Sequence, residues 1–157
     1  MTPLTCTTGW WFTRLPATHI HIGISRGTPR HMASSPRIPQ LQPGSWFRTA
    51  GTEEYRARYA EVLARLDPGS VVDEIDRLAQ GRVPVLCCYE KPGSGDWCHR
   101  AYISAWLCMH LGLVVEEYGM PGQGFADSHP MLPAEYRRPV TRIGQGRPRP
   151  ARMAPAK

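Results

Sequence analysis

Regular alternation of apolar and polar positions begins at His19. Residues 19–25 read HIHIGIS, with isoleucine at 20, 22 and 24, a period of two that predicts a strand. Gly27 and Pro29 follow it as a turn signal. Residues 28–51 carry four prolines with much Ser, Gly and Gln and show no period. A loop of that length in a compact domain is usually functional or mobile. Helical spacing then appears: Tyr55, Tyr59, Val62, Leu63 and Leu66 share one face, with Thr52 as N-cap and Glu53 and Glu54 in the first turn. Pro68-Gly69 breaks that helix. Ser70, with Asp73 three residues on, is placed to cap a second helix with the apolar face Val71, Val72, Ile75 and Leu78. Gly81 sits where a glycine beyond a helix C-terminus belongs.

Val83 to Tyr89 (VPVLCCY) is an unbroken apolar run of strand length. Such a run predicts a strand covered on both faces, central in a parallel sheet, with Pro84 near its start. From about Cys98 to Leu111 the chain is apolar nearly all round, which predicts a buried helix ended by Gly112. Val114 to Tyr118 reads as a third strand. Strand, two helices, strand, helix, strand predicts βαβ crossovers. The expected fold is a small α/β domain, Rossmann-like or flavodoxin-like, with three layers and a short, mainly parallel sheet. Ligands in such sheets bind outside the carboxyl ends of the strands. Residues 1–17 show no clear period and are expected to be an N-terminal extension, with Trp10, Trp11 and Phe12 as an apolar clip on a domain of residues 18–136.

Charge divides the chain. Residues 137–157 hold seven basic groups and no acid, whereas the other 136 residues hold 12 basic and 13 acidic groups. The overall +6 therefore belongs to the tail, which is expected to be disordered. Any nucleic-acid contact is expected to be weak and to run through this tail rather than through the domain. No run approaches the roughly 18 apolar residues of a membrane span. No charged n-region precedes an apolar run at the N-terminus, so a secretory signal is not expected. Five cysteines, with Cys87 and Cys88 adjacent in an apolar run, suit reduced thiols and a cytoplasmic protein better than a disulfide scaffold. The pattern leaves the oligomeric state undetermined.

Candidate chemistry lies in VLCCYEKPGSGDWCHRAYISAWL. A buried strand delivers Glu90 and Lys91 into a glycine-rich loop, which opens a buried helix with Cys98, His99 and Arg100. A cation at a helix N-terminus is disfavoured by a few tenths to about 1 kcal/mol, and free N–H groups at that end already attract anions. An anionic ligand would resolve both tensions. The alternative is that Arg100 pairs with Glu90 or Asp96 and ties the loop down. Cys98, beside His99 and Arg100 at a helix start, has the setting of a lowered thiol pKa and could act as a nucleophile; otherwise it fills the first turn. Across the sheet edge, SRGTPR offers Ser25, Arg26 and Arg30 as a second wall, or as a solvated basic turn.

Other chemistries fit poorly. One residue separates Cys98 from Arg100, where a cysteine phosphatase has five. The GSG loop is followed by no Gly-Lys-Ser/Thr, so it is not a nucleotide P-loop, and no cofactor is expected. Cys87, Cys88, Cys98 and His99 lack paired C-x₂-C spacing, so no metal site is expected either.

The strand running into Cys88-Tyr89-Glu90, the short loop, Cys98-His99-Arg100 and the apolar helix resemble the domain of unknown function 488 family. The first strand ending in Ser25 with its Gly/Pro turn and the segment from Leu41 to Trp46 are similar too, so the resemblance spans about residues 19–118. The loop KPGSGDW is longer and richer in glycine than the family's. The resemblance implies an α/β domain and no particular reaction.

The leading expectation is therefore a site for an anionic, nucleotide-like or phosphate-bearing small molecule, with hydrolase or transferase chemistry open. Glu90, Cys98 and His99 are its candidate catalytic residues. Ser25, Arg26, Arg30, Lys91 and Arg100 are its candidate ligand-binding residues. The rival is a non-enzymatic protein that binds nucleic acid or a partner through its basic tail.

Overall fold

The computed structural model describes residues 5–124 and 127–138. Four strands, β1 (Thr7–Trp10), β2 (His19–Gly23), β3 (Val83–Cys88) and β4 (Glu116–Glu117), form one sheet in the order β2-β3-β1-β4. Every neighbouring pair is parallel. Three α-helices, α1 (Thr52–Ala64), α2 (Pro68–Ala79) and α3 (Arg100–Leu111), complete a small α/β domain. No helix among the described residues is long and apolar enough to cross a membrane.

The two faces of β3 are covered differently. Leu86 and Cys88 face a large core built with Tyr55, Tyr59 and Leu63 of α1, Val71 and Ile75 of α2, and Ile103 and Leu107 of α3. Val85 and Cys87 face the other way, onto Trp11, with Leu15, Met32 and Tyr118 around it. The layers are thus helices, sheet, and a sheath of side chains from loops. Trp11 is fully buried. Its indole passes so close beneath β2 that a Cβ on Gly23 would lie 2.7 Å from it, which is why this strand carries glycine at that point.

The N-terminal segment departs from the sequence reading. Residues 7–10 are no extension; they form a strand between β3 and β4. The sequence TTGW has no period because the strand is four residues long and covered on both sides. The caps differ as well. Gly51, not Thr52, is the N-cap of α1, and the Thr52 hydroxyl donates to Glu135 instead. Asp67 caps α2 by accepting from the Ser70 N–H at 2.9 Å, with Pro68 in the first turn. Pro68 thus starts the second helix, where its missing N–H costs nothing.

A buried polar cluster ties β1, β4 and α3 together. Arg100, in the first turn of α3, is fully buried. Its Nε donates to Glu117 Oε1 at 2.9 Å and its Nη2 to Oε2 at 2.8 Å. Nη2 also donates to the Glu90 carbonyl at 2.9 Å. Glu117 is 1% exposed, and Thr8 of β1 donates to its Oε1 at 2.9 Å. His129 completes the chain. Its Nδ1 accepts the Met131 N–H at 3.0 Å, so the proton sits on Nε2, which donates to Thr8 Oγ1 at 2.7 Å. Burial first, then the Arg100 charge, lowers the His129 pKa to about 3, so this imidazole is neutral.

Breaking one partner of a buried pair strands the other charge and costs about 3–5 kcal/mol. Arg100→Ala and Glu117→Ala are each expected to lose that much in denaturant melts. The double change Arg100→Met, Glu117→Leu is expected to recover most of it. A loss below about 1 kcal/mol in both single variants, the size of an exposed pair, would show that the pair carries little. His129 adds a pH dependence. The folded state keeps it neutral down to about 3, while the unfolded chain takes up a proton near pH 6.5. The His129 contribution to stability should fall as pH drops below about 6.5, so wild type minus His129→Gln should show that decline.

Candidate functional site

The site lies beyond the carboxyl ends of β2 and β3. There a cleft of about 960 Å³ is lined by Ser25, Arg26 and Gly27 after β2, and by Tyr89 and Glu90 after β3. Pro43, Phe47 and Arg48 from the long loop, Tyr55 of α1, and residues 95–99 close it. The proline-rich stretch is therefore a wall of the cleft, partly organised into 3-10 turns at Pro39–Leu41 and Ser45–Arg48.

Each wall has its own support. Arg37 holds the turn after β2: it donates to the Ser25 carbonyl and the Thr28 hydroxyl, and to Gln42 Oε1 at 3.2 Å. The Ser25 hydroxyl accepts from Trp11 Nε1 at 2.9 Å and donates to the Gly27 carbonyl at 2.6 Å. Ser25 thus reaches the cleft, but its hydroxyl proton is committed to the turn. Arg26 is exposed, bonded to the Pro43 carbonyl at 3.0 Å, and lies 5.5 Å from the Phe47 ring centre. Arg48 approaches the same ring at 5.3 Å. Behind them, Tyr55 packs edge-on against Trp46 and Trp97, with ring centres 4.9 and 4.6 Å away. In the glycine-rich loop, Gly93 and Gly95 take φ of +84° and +95°, conformations that suit glycine.

At the floor sit Cys98, His99 and Glu90. Cys98 and His99 are 2% and 5% exposed. The Cys98 N–H donates to the Met131 carbonyl at 2.9 Å, and His99 Nε2 meets the Ile24 carbonyl at 2.8 Å. A carbonyl can only accept, so Nε2 carries a proton, and Nδ1 is the ring nitrogen left to face the Cys98 sulfur. Nδ1 lies 3.8 Å from Cys98 Sγ. The electrostatics of the floor diverge. Burial would raise the Cys98 pKa, but a hydrogen bond from Cys88, the Arg100 charge and His99 outweigh it and hold the thiol well below its ordinary range. Cys88, by contrast, is pushed up by burial and by its bond to Cys98. Burial, the neighbouring Cys98 charge and a hydrogen bond to Cys98 raise Glu90 to about 7.

Of the residues expected from sequence, Ser25, Arg26, Glu90, Cys98 and His99 line the cleft. Three do not. Arg100 is withdrawn into the core against Glu117, a partner 17 positions away; an internal carboxylate, not a ligand, answers its charge. Arg30 is exposed outside the cleft. Lys91 turns back, its Nζ 5.3 Å from the Trp10 ring centre. Sequence reasoning missed Arg37, Arg48 and the aromatic wall, although the loop's length pointed to that region. It also missed the donors that the fold assembles: Cys88, Cys98 and His99 place their ligand atoms within 4.8 Å of one another. Their separation along the chain argued against a metal site, whereas the geometry permits one. Of the basic tail, only Arg137 and Arg138 are among the described residues. Arg138 pairs with Asp127 at 3.2 Å, and Arg137 donates to the Pro130 carbonyl at 2.6 Å.

No family model, curated protein or solved structure matches the chain.

Two titrations check the floor. At pH 6, iodoacetamide followed by peptide mapping should modify Cys98 while Cys6 and Cys87, both raised to about 12 by burial, stay intact. Equal or faster labelling of either would remove the case for a thiolate at Cys98. Glu90 should also be visible in stability. Its folded pKa of about 7 lies above the usual carboxyl value near 4.3, so the fold favours the protonated form. The Glu90 contribution should fall as pH rises through that window, opposing that of His129. The stability difference between wild type and Glu90→Gln should show this decline, and a difference that does not change with pH would place the Glu90 carboxyl in water.

Proposed function

We propose that the cleft binds an anionic, nucleotide-like small molecule and transfers a group from it by way of the Cys98 thiol. The observation that carries this reading is the pairing at one floor of a thiol held low with a carboxyl held high, beneath two arginines and a set of aromatic rings. Groups whose environments drive their pKa values apart are a signature of acid and base assignments.

Each feature has a use in that reaction. Arg26 and Arg48 at the rim supply the charge-assisted bonds that an anion requires. Phe47, Tyr55, Tyr89 and Trp97 supply ring faces and edges for a planar base. Cys98, as thiolate, attacks the electrophilic atom, and the bond to the leaving group breaks. Glu90, protonated near neutral pH, gives that leaving group its proton, then takes one from the water or acceptor that releases the intermediate from sulfur. His99 is a positioning residue: locked by the Ile24 carbonyl, its Nδ1 faces the sulfur. The resemblance to the domain of unknown function 488 family supplies a fold for this reading and no reaction.

The anion-binding half is testable without knowing the substrate. A panel of nucleoside mono- and diphosphates should contain members that raise the melting temperature of the wild type. Arg26→Ala with Arg48→Ala should abolish the increase, while leaving the ligand-free stability within about 0.5 kcal/mol, because both side chains are exposed. If no phosphate compound stabilises the wild type, or the double variant responds as the wild type does, the cleft is not an anion site. Cys98→Ala should keep the binding and lose any covalent adduct seen by intact-mass measurement.

A further inference from the structure

Cys88 ends β3, and Cys98 and His99 open α3, so two separate elements bring two sulfurs and an imidazole to one point. All three residues are buried. Cys88 Sγ lies 3.9 Å from His99 Nδ1 and 3.7 Å from Nε2, and Cys98 Sγ lies 3.8 Å from Nδ1. Hydrogen bonding alone uses this arrangement poorly. Cys98 Sγ lies by Nδ1 and Cys88 Sγ beside both ring nitrogens, every contact long for a hydrogen bond. A metal ion between them satisfies all three donors.

With Zn–S near 2.3 Å and Zn–N near 2.0–2.1 Å, a tetrahedral site spaces nitrogen and sulfur by about 3.6 Å. The Cys98 sulfur is close to that spacing from Nδ1, and loading requires the Cys88 side chain, now as near Nε2 as Nδ1, to swing towards Nδ1. The outer bond is present as well. A metal-ligating histidine usually donates its other ring N–H to a carbonyl or carboxylate, which fixes ring and tautomer; His99 Nε2 does so to Ile24 at 2.8 Å. Charge also balances, since two thiolates cancel a divalent cation and add no net charge beside the Arg100–Glu117 pair.

We propose that Cys88 Sγ, Cys98 Sγ and His99 Nδ1 form a site for a thiophilic divalent cation, Zn²⁺, whose fourth position opens to the cleft. Cys98 and His99 both line that cleft with Glu90, so a water or the Glu90 carboxylate completes the tetrahedron. Three protein ligands with an open position is the pattern of exchangeable, reactive zinc rather than of a closed structural site. Loading the site engages the Cys98 sulfur, so the zinc form cannot use it as a nucleophile. Zinc binding goes beyond the group-transfer reading and stands without it.

The test uses the full chain, tag-free, reduced and stripped with a chelator, with no nucleotide present. Zn²⁺ titrated in competition with a chromophoric chelator should give one ion per chain. Co²⁺ should give thiolate-to-cobalt charge-transfer absorption and the intensified visible bands of a tetrahedral ion. Cys88→Ser should lose the charge-transfer band or reduce it to a one-sulfur spectrum. Cys87→Ser should keep it in full, because that side chain lies on the opposite face of the sheet with Trp11 and Val85. A readout on unaltered protein covers variants that fail to fold: Zn²⁺ should protect Cys98 from alkylation, and chelator should restore its labelling. An octahedral cobalt spectrum, an undiminished band in folded Cys88→Ser, or Cys98 labelling that Zn²⁺ leaves unchanged would overturn the site. Loss of nucleotide binding in Arg26→Ala, Arg48→Ala leaves all these readouts untouched, so either reading can fail alone.

Discussion

The bidentate contact between Arg100 and Glu117 is the constraint on which the site depends. A guanidinium with no exposed surface carries a desolvation cost of several kcal/mol, which the bidentate Glu117 carboxylate offsets, although Arg100 Nη1 has no hydrogen-bond partner among the described residues. That requirement fixes three things together. The start of α3 must sit over β4, β1 must lie alongside β4 to present Thr8, and the segment after residue 126 must return so that His129 reaches Thr8. The first turn of α3 is thereby held from within the core. Cys98 and His99, immediately before Arg100, cannot move independently of it. Their position at the cleft floor is a consequence of a pair that never meets solvent.

The same cation acts on the cleft through charge as well as geometry. Arg100 does not line the cleft, yet it is among the groups that hold the Cys98 thiol low. Low local dielectric makes such a charge effective at a distance at which water would screen it. In front, burial first and then the neighbouring Cys98 charge raise Glu90. Two adjacent titratable groups are thus driven in opposite directions. The arrangement also explains why an arginine can stand in the first turn of a helix, where the backbone dipole repels it. The stabilising carboxylate comes from another strand.

The parts of this architecture that repeat along the chain were legible in it. Alternating isoleucines marked β2, the run VPVLCCY marked β3, and helical spacing marked α1 and α2, because one-sided burial imprints a period. A mainly parallel sheet and a site at its carboxyl edge followed from the order of those elements, and the observed sheet is parallel at every pair. β1 was not legible: four residues, two threonines, a glycine and a tryptophan, give no alternation to read. Missing β1 also hid Thr8 and left Glu117 without a role, so the partners of Arg100 were sought nearby at Glu90 and Asp96. The actual carboxylate becomes adjacent only once β1 and β4 pair. Cys88, Cys98 and His99 were visible as residue types but not as a cluster, since no local spacing relates the end of a strand to the start of the next helix.

Burial sets the terms on which the Cys98 sulfur can react. At 2% exposure it is closed to bulky reagents approaching from solvent, and a low pKa alone does not make it promiscuous. Access runs through the cleft, past Arg26 and Arg48 and the rings of Phe47 and Trp97, so whatever reaches the sulfur has first been selected for charge and shape. A small ion with affinity for thiolates escapes that selection, because it needs neither the arginines nor the rings. On the two proposals above, one sulfur would serve two kinds of partner by different criteria. A planar anion would have to satisfy the walls, whereas a metal ion would have to satisfy only the floor. Each would exclude the other, because Cys98 belongs to both sets.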